Sequence, residues 1–451
     1  MSRRLRDDPP QGEPTEESTE YVPLTCERRA RLVLAFAEVL YVSGQSTEQT
    51  IAAASRLARA LGLSATLIPR WGELTLSAVE DTRTFLYQAS ANPTSVEMDR
   101  VASVIRAICD VEAGRLGPHT AATTIDAIAR LRPSPTWLFM LAAGAGSLAL
   151  AVIFGVQHVA AAGLIFVGGC LGALLRRGLA RLSENLFLQP FCAALLAGLI
   201  GGLAIRYQVS SSLRLVAVCP CMVLVPGPHF LNGMIDLARG RLSLGASRLL
   251  YAILVVAAIS AGLLLGLACF GASLPIEPPG RIASLWRDVV AAGVAVAAYC
   301  VFFSAPFRML PWPVGVGMVA HASRWVAITQ FGAGAATGAL VAALVVGLTL
   351  TPVARRDNMP FAAIGFAAVV SMIPGVYLFR MAAGLLQVTT QAQVTQDLIA
   401  AILVDGANAA MITLALSFGL IVPKLIVDAC EKHAGASGVL RAGSPPRIGR
   451  R

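Results

Sequence analysis

The chain has 451 residues, 56% of them hydrophobic and 14% charged, with a mean hydropathy of +0.69. Soluble proteins carry about 25% charged residues, so an ordinary cytosolic enzyme and a disordered chain are both excluded. The net charge of +10 sits in short gaps between apolar runs, as in the loops of a membrane protein, and not on the single basic face that nucleic acid requires. Nine cysteines, several inside apolar stretches (Cys170, Cys192, Cys269, Cys300), follow no secretory leader and read as buried apolar residues, not a disulfide framework.

Residues 1–25 are polar and aperiodic and are expected to form a disordered tail. Residues 26–132 predict a small cytosolic α+β domain. Leu32, Leu34, Phe36, Val39 and Leu40 mark a helix over 27–43. Ser46 with Gln49 suggests a capping box opening a second helix that Gly62 closes. Stretches 65–68 and 74–79, around Pro69-Arg70-Trp71-Gly72, read as a two-stranded hairpin, followed by helices near 95–113 and 118–131.

From Trp137 onward the spacing changes. A bilayer core takes about 20 apolar residues per helix. Ten stretches qualify: 137–155, 157–175, 188–205, 213–228, 247–270, 286–304, 309–328, 330–350, 359–376 and 399–422. They divide into a first five-helix half, 136–272, and a second, 284–424, with a basic cytoplasmic tail at 425–451. With the N-terminal domain inside, nine arginines fall in cytoplasmic gaps (among them Arg176, Arg177, Arg239, Arg241 and Arg248) against five opposite (Arg206, Arg214, Arg281, Arg324, Arg380). This bias predicts both termini in the cytoplasm.

The fourth and ninth stretches are each broken by Pro-Gly. Val225-Pro226-Gly227 recurs as Ile373-Pro374-Gly375 at an offset of 148, and 252–255 recurs as 401–404 at 149. Units of five helices place the second half upside down relative to the first, the inverted repeat of many secondary transporters. Proline removes a backbone donor and glycine permits an unwound turn, which lipid tolerates only where protein or a water-filled cavity supplies partners. The matched breaks are therefore candidates for a substrate site, and simple kinks are the competing reading.

These residues resemble the threonine/serine exporter family of bacterial inner membranes. The resemblance rests on Tyr41-Val42-Ser43-Gly44 through Ala60-Leu61-Gly62, on Val225-Pro226-Gly227 with Asn232, Asp236 and Gly240, and on Ile373-Pro374-Gly375 with Arg380. It departs at Gln49-Thr50-Ile51, where relatives often carry an Arg and a Glu. It implies a multi-pass inner-membrane protein with a cytosolic domain and two fused halves, exporting threonine, serine or, as in a split branch, dicarboxylates, driven by protons. It implies no cofactor. A homo-oligomer is compatible with it.

Asp405 is the one carboxylate near the middle of an apolar run; it could carry protons from a cavity or brace a neighbouring helix. Asn408 lies on roughly the same face and could bond substrate. His321, with Arg324 three residues on, is a second candidate for proton coupling. Asn232 and Asp236 share a helix face and could line the cytoplasmic mouth or cap loops. Arg380 could attract a substrate carboxylate or snorkel to the surface. Cys219-Pro220-Cys221 has soft-ligand chemistry, yet no phosphorylation domain or nucleotide motif accompanies it, so no metal site is assigned. No catalytic constellation emerges, and a membrane-anchored enzyme is the rival to a transporter.

Overall fold

The computed structural model describes residues 25–80, 83–207, 213–274, 283–356, 359, 361–390 and 394–442. The expected N-terminal tail, apart from Thr25, and residues 443–451 of the expected C-terminal tail lie outside the described residues.

Helix α1 (Cys26–Val42) starts at Thr25, whose hydroxyl accepts a hydrogen bond from the Arg28 amide at 3.4 Å. It buries Leu32, Phe36 and Leu40, spaced four apart on one face. Helix α2 (Thr47–Ala60) starts where Ser46 predicts, but the capping box does not close. The Ser46 side chain takes no helix amide, and Gln49 Oε1 is buried without a hydrogen-bond partner. The Ser46 amide is instead taken by Gln45 Oε1 at 3.0 Å, and the Thr50 hydroxyl donates back to the Ser46 carbonyl at 3.0 Å.

Three strands follow where two were expected. β1 (Ser64–Arg70), β2 (Gly72–Glu80) and β3 (Arg83–Ala91) form an antiparallel sheet in the order β1-β2-β3. The turn at Trp71-Gly72 is tight, with Gly72 at φ +85°. β3 lacks the alternation that marks a half-buried strand, because Phe85 and Leu86 are consecutive and both exposed. Helices α3 (Met98–Glu112) and α4 (Pro118–Ala129) complete this region, whose core gathers Phe36, Leu40, Leu57, Leu74, Leu76 and Ile108.

The remaining chain is helical. α5 (Thr136–Ile153), α6 (Val159–Leu179), α7 (Leu188–Arg206), the pair α8 (Leu213–Met222) and α9 (Gly227–Ala238), and α10 (Leu242–Ala268) come first. α11 (Leu285–Phe302), α12 (Pro311–Thr329), α13 (Ala335–Arg356), the pair α14 (Phe361–Val369) and α15 (Gly375–Thr390), and α16 (Gln396–Ala442) follow. Among the described residues, seven helices are long and apolar enough to cross a membrane, and nine spans result if each bent pair counts as one. α12, expected as a tenth, is not among them; it carries His321, Ser323 and Arg324, which lower its apolar character. α16 continues past the expected tail boundary at 425, running through Pro423 to Ala442.

Matching helices pack on matching partners. α5 meets α6 as α11 meets α12, and α7 meets α10 as α13 meets α16. Gly169 on α6 lies against Ser147 on α5, and Gly317 on α12 lies against Val296 on α11. Those glycines are 148 residues apart and their partners 149, the offsets of the Pro-Gly repeat. Gly198, Gly262 and Gly266 let the backbones of α7 and α10 touch, and Gly347 with Gly419 does the same for α13 and α16.

Candidate functional site at two broken helices

α8 and α9 meet at a bend of 54° across Pro226; α14, with a 3-10 turn at 370–372, meets α15 at 51° across Pro374. The two breaks pack against each other. Gly227 lies under Phe366 and Ile373 so closely that a Cβ there would collide with both. Gly375 faces Met222 and Val225, at 3.3 and 3.4 Å from where its Cβ would stand. The gap left between the breaks is only about 30 Å³, lined by Gly227, Phe230, Ile373, Pro374, Thr413 and Ser417 among others. The structure thus brings Pro226, Gly227, Pro374 and Gly375 to one place.

A larger cavity opens on each side of this contact. The one beside Pro226 has a volume of about 370 Å³ and is lined by Arg176, Arg177, Gln189, His229, Tyr251 and Phe302, with Thr94, Ser95 and Glu97 from the N-terminal region. The one beside Pro374 has about 190 Å³ and is lined by Asp288, Arg324, Ser371 and Tyr377, with Ile153 and Phe154 from the end of α5.

His321 is fully buried between two partners. Its Nδ1 lies 2.9 Å from Asp288 Oδ2 and its Nε2 lies 2.6 Å from Ser371 Oγ. A carboxylate on one ring nitrogen and a hydroxyl on the other form a short polar chain into the 190 Å³ cavity. The sequence suggested Arg324 as its neighbour; Asp288, at the start of α11, is the partner that sequence reasoning missed.

Asp405 is not a lone carboxylate. Its Oδ2 lies 3.1 Å from Arg380 Nε, and it lines none of the three cavities above. Burial of one charge in lipid is offset here by its partner on the adjacent helix. Arg380 and Arg324, counted among the loop arginines from the sequence, stand within α15 and α12. Asn408 is half-buried on α16 and also lines none of these cavities.

Asn232 and Asp236 do not line the cavities either; they hold the N-terminal region. The Thr47 hydroxyl donates to Asp236 Oδ2 at 2.8 Å, and Arg248 Nε stands 3.1 Å from the same oxygen. Asn232 Nδ2 donates to the Gly44 carbonyl at 3.3 Å, and His229 Nε2 lies 3.0 Å from the Pro93 carbonyl. Arg248, counted as a loop arginine in the sequence, is 1% exposed and lies over the Tyr41 ring at 5.2 Å. The other half contributes as well. The amides of Met98 and Asp99 donate to the carbonyls of Phe303 and Ser304 at 2.9 and 3.1 Å, and Ser134 N–H donates to Ser304 Oγ at 3.0 Å. Ser304 holds φ +56°, a left-handed conformation costly for serine, at this junction. Cys219 and Cys221 are buried side chains of α8, and no cluster of three or more metal-ligating groups occurs among the described residues.

Apolar helices in number, two of them broken at a shared point with a cavity carrying charged side chains on either side, define a multi-pass membrane transporter. The threonine/serine exporter family model ThrE matches residues 31–270, and a second model, "Threonine/Serine exporter, ThrE", matches 288–426. The chain belongs to this family, which is one of transporters and not of enzymes. It is similar to a Mycobacterium tuberculosis (strain ATCC 25618 / H37Rv) protein named "Probable threonine/serine exporter", at 25% identity over 444 residues, covering 93% of this chain and 80% of that one. No solved structure matches the chain.

Proposed function

We propose that this chain exports threonine and serine across the bacterial inner membrane by alternating access around the paired breaks, coupled to proton entry. The observation that carries this reading is the contact of Gly227 with Ile373 and Phe366, a thin closed point between two cavities. Separating the halves on one side while closing them on the other moves a solute past that point. Ten spans in two inverted halves fit the packing. Ser134, just before α5, bonds Ser304, just after α11, while the end of α5 shares the far cavity with the start of α11. Matched helices that run in opposite directions are what five-helix units produce. On this reading α12 is a span whose polar residues face the transport path, and the N-terminal region lies in the cytoplasm with both chain termini.

For the proton, the geometry favours Asp288 and His321 over Asp405. The first pair opens through Ser371 into a cavity at a break, whereas Asp405 is held by Arg380. Asp405 and Arg380 then tie α15 to α16, so that the helix following the second break moves with its neighbour. The test is threonine efflux from proteoliposomes under an imposed pH gradient. His321→Gln should abolish uphill efflux while leaving threonine exchange at zero gradient, because exchange needs no net proton movement. Asp405→Asn pumping at the wild-type rate per folded molecule would support the bracing role. Absence of threonine and serine transport in the wild-type chain would refute the exporter reading.

A further inference from the structure

The repeat offset identifies a pair of residues that the Pro-Gly match alone does not. Arg176 and Arg324 are 148 residues apart, as Pro226 and Pro374 are, and each follows its matched packing glycine, Gly169 or Gly317, by seven positions. The structure places each arginine in the cavity beside its own break. Neither guanidinium closes an ion pair or hydrogen bond with the protein among the described residues. Arg176 lies over the Phe302 ring at 5.2 Å, and Arg324 has Asp288 and Tyr377 as electrostatic neighbours. A guanidinium half-withdrawn from water with no ion pair or hydrogen bond closed is costly, and a planar carboxylate is its natural complement.

The cavities also share an acid, but from different sources. Asp288 supplies it beside Arg324; the position 149 earlier is Phe139, which is apolar. In the first cavity the carboxylate is Glu97, contributed by the N-terminal region at the start of α3. Resting on the exporter reading above, we propose that Arg176 and Arg324 are the two alternating seats for the substrate carboxylate, and that Glu97 and Asp288 receive its ammonium group. The N-terminal region therefore completes a site that the first repeat leaves unfinished. The arrangement selects a zwitterion. A dicarboxylate would set its second negative charge against Glu97 or Asp288, a like-charge contact that rejects it. Burial raises the Glu97 carboxyl above its ordinary range, while Arg100 and Arg177 hold it down, so a ligand cation nearby would favour its charged form.

The experiment uses the full chain in proteoliposomes of known orientation, with threonine supplied from either face. Arg176→Gln should raise the KM for threonine about tenfold or more from the N-terminal-domain face and leave the other face near wild type. Arg324→Gln should do the reverse. Glu97→Gln should narrow the preference for threonine over 3-hydroxybutyrate, which lacks the amine, from the N-terminal-domain face only, by about tenfold. Equal shifts from both faces, or none, would overturn the two-seat proposal while wild-type transport kept the exporter reading intact. Loss of all transport in the wild type would instead remove the reading beneath it. Should Arg176→Gln fail to insert, modification of wild-type Arg176 by phenylglyoxal decides the matter. Protection by threonine supports the seat, and unchanged labelling overturns it.

Discussion

The break at Pro226 and the break at Pro374 share sequence, bend angle and packing partners, yet their surroundings differ. The first opens on about 370 Å³ walled partly by the N-terminal region; the second opens on about 190 Å³ walled by helices of the apolar part alone. The first carries a buried charge cluster at Asp236 and Arg248. At the position 148 beyond Asp236 the second has Gly384, packed against Ile402. The two breaks match in sequence and bend, and the N-terminal region packed beside the first makes its surroundings different. One cavity is thus bounded by residues from two regions of the chain and the other by the apolar helices alone.

The asymmetry is broken most severely at Asp236. Asp236→Ala leaves Arg248 buried without its partner and removes the anchor of Thr47, a loss of roughly 3–5 kcal/mol for a buried pair. Trypsin should then cut between the N-terminal region and α5 at concentrations that spare the wild type. Gly384→Ala should leave that cleavage unchanged, although it crowds Ile402.

The two glycines sharpen the comparison next. Gly227→Ala forces Phe366 and Ile373 to move and should cost about 1–3 kcal/mol, read as a lower midpoint of thermal inactivation and reduced efflux. Gly375→Ala meets only tight side-chain contacts with Met222 and Val225 and should fall at or below the lower end of that range. Equal losses would show that the contact between the breaks is looser than the structure has it.

A third variant addresses the far cavity. His321→Ala removes the link between Asp288 and Ser371 and should lower pH-gradient-driven efflux more than it lowers threonine exchange. Equal loss of both would make His321 a packing residue.

The smallest effect concerns acid. Arg56, on α2, pairs with Glu112 at the end of α3 and lowers its carboxyl below the ordinary range. A depressed carboxyl stabilises the fold fully above its unfolded value and ceases to do so as pH falls through the folded one. The pair is about one-third exposed, so Glu112→Gln should cost under about 1 kcal/mol at neutral pH and nothing below the carboxylate range. Melting of the N-terminal region as a function of pH checks this, and the inactivation midpoint of the apolar helices should not follow it.

The apolar runs, the small leading region and both breaks were legible because each leaves a local mark: hydropathy, amphipathic spacing, Pro-Gly. What escaped depends on tertiary neighbours. Asp288 sits in Leu285-Trp286-Arg287-Asp288, where a charge at a helix start reads as an interface residue, and only the fold brings His321 to it. Arg248 and Arg324 were counted with the loop arginines although they lie inside the stretches 247–270 and 309–328, because each stands within a turn or so of its stretch's end, where a charge reads as interfacial. Asp405 looked lone because its partner Arg380 lies 25 residues earlier on another helix. β3 escaped because its pattern is interrupted at Phe85 and Leu86, and its pairing with β2 is settled by register, not by alternation. The arginine pair did have a sequence signal, the common offset of 148, which a search confined to Pro-Gly passes over.

The glycine seams of α7 with α10 and α13 with α16 have a thermodynamic consequence. Helices already surrounded by lipid gain little from expelling water, so backbone contact there is held by dispersion and close fit. The core around Phe36, Leu57 and Leu76 is held instead by removal of apolar surface from water, which gives a positive heat capacity of unfolding and weakens on cooling. The two parts of one chain therefore answer temperature differently. Cold should loosen the region that walls the first mouth while the paired helices behind it keep their grip.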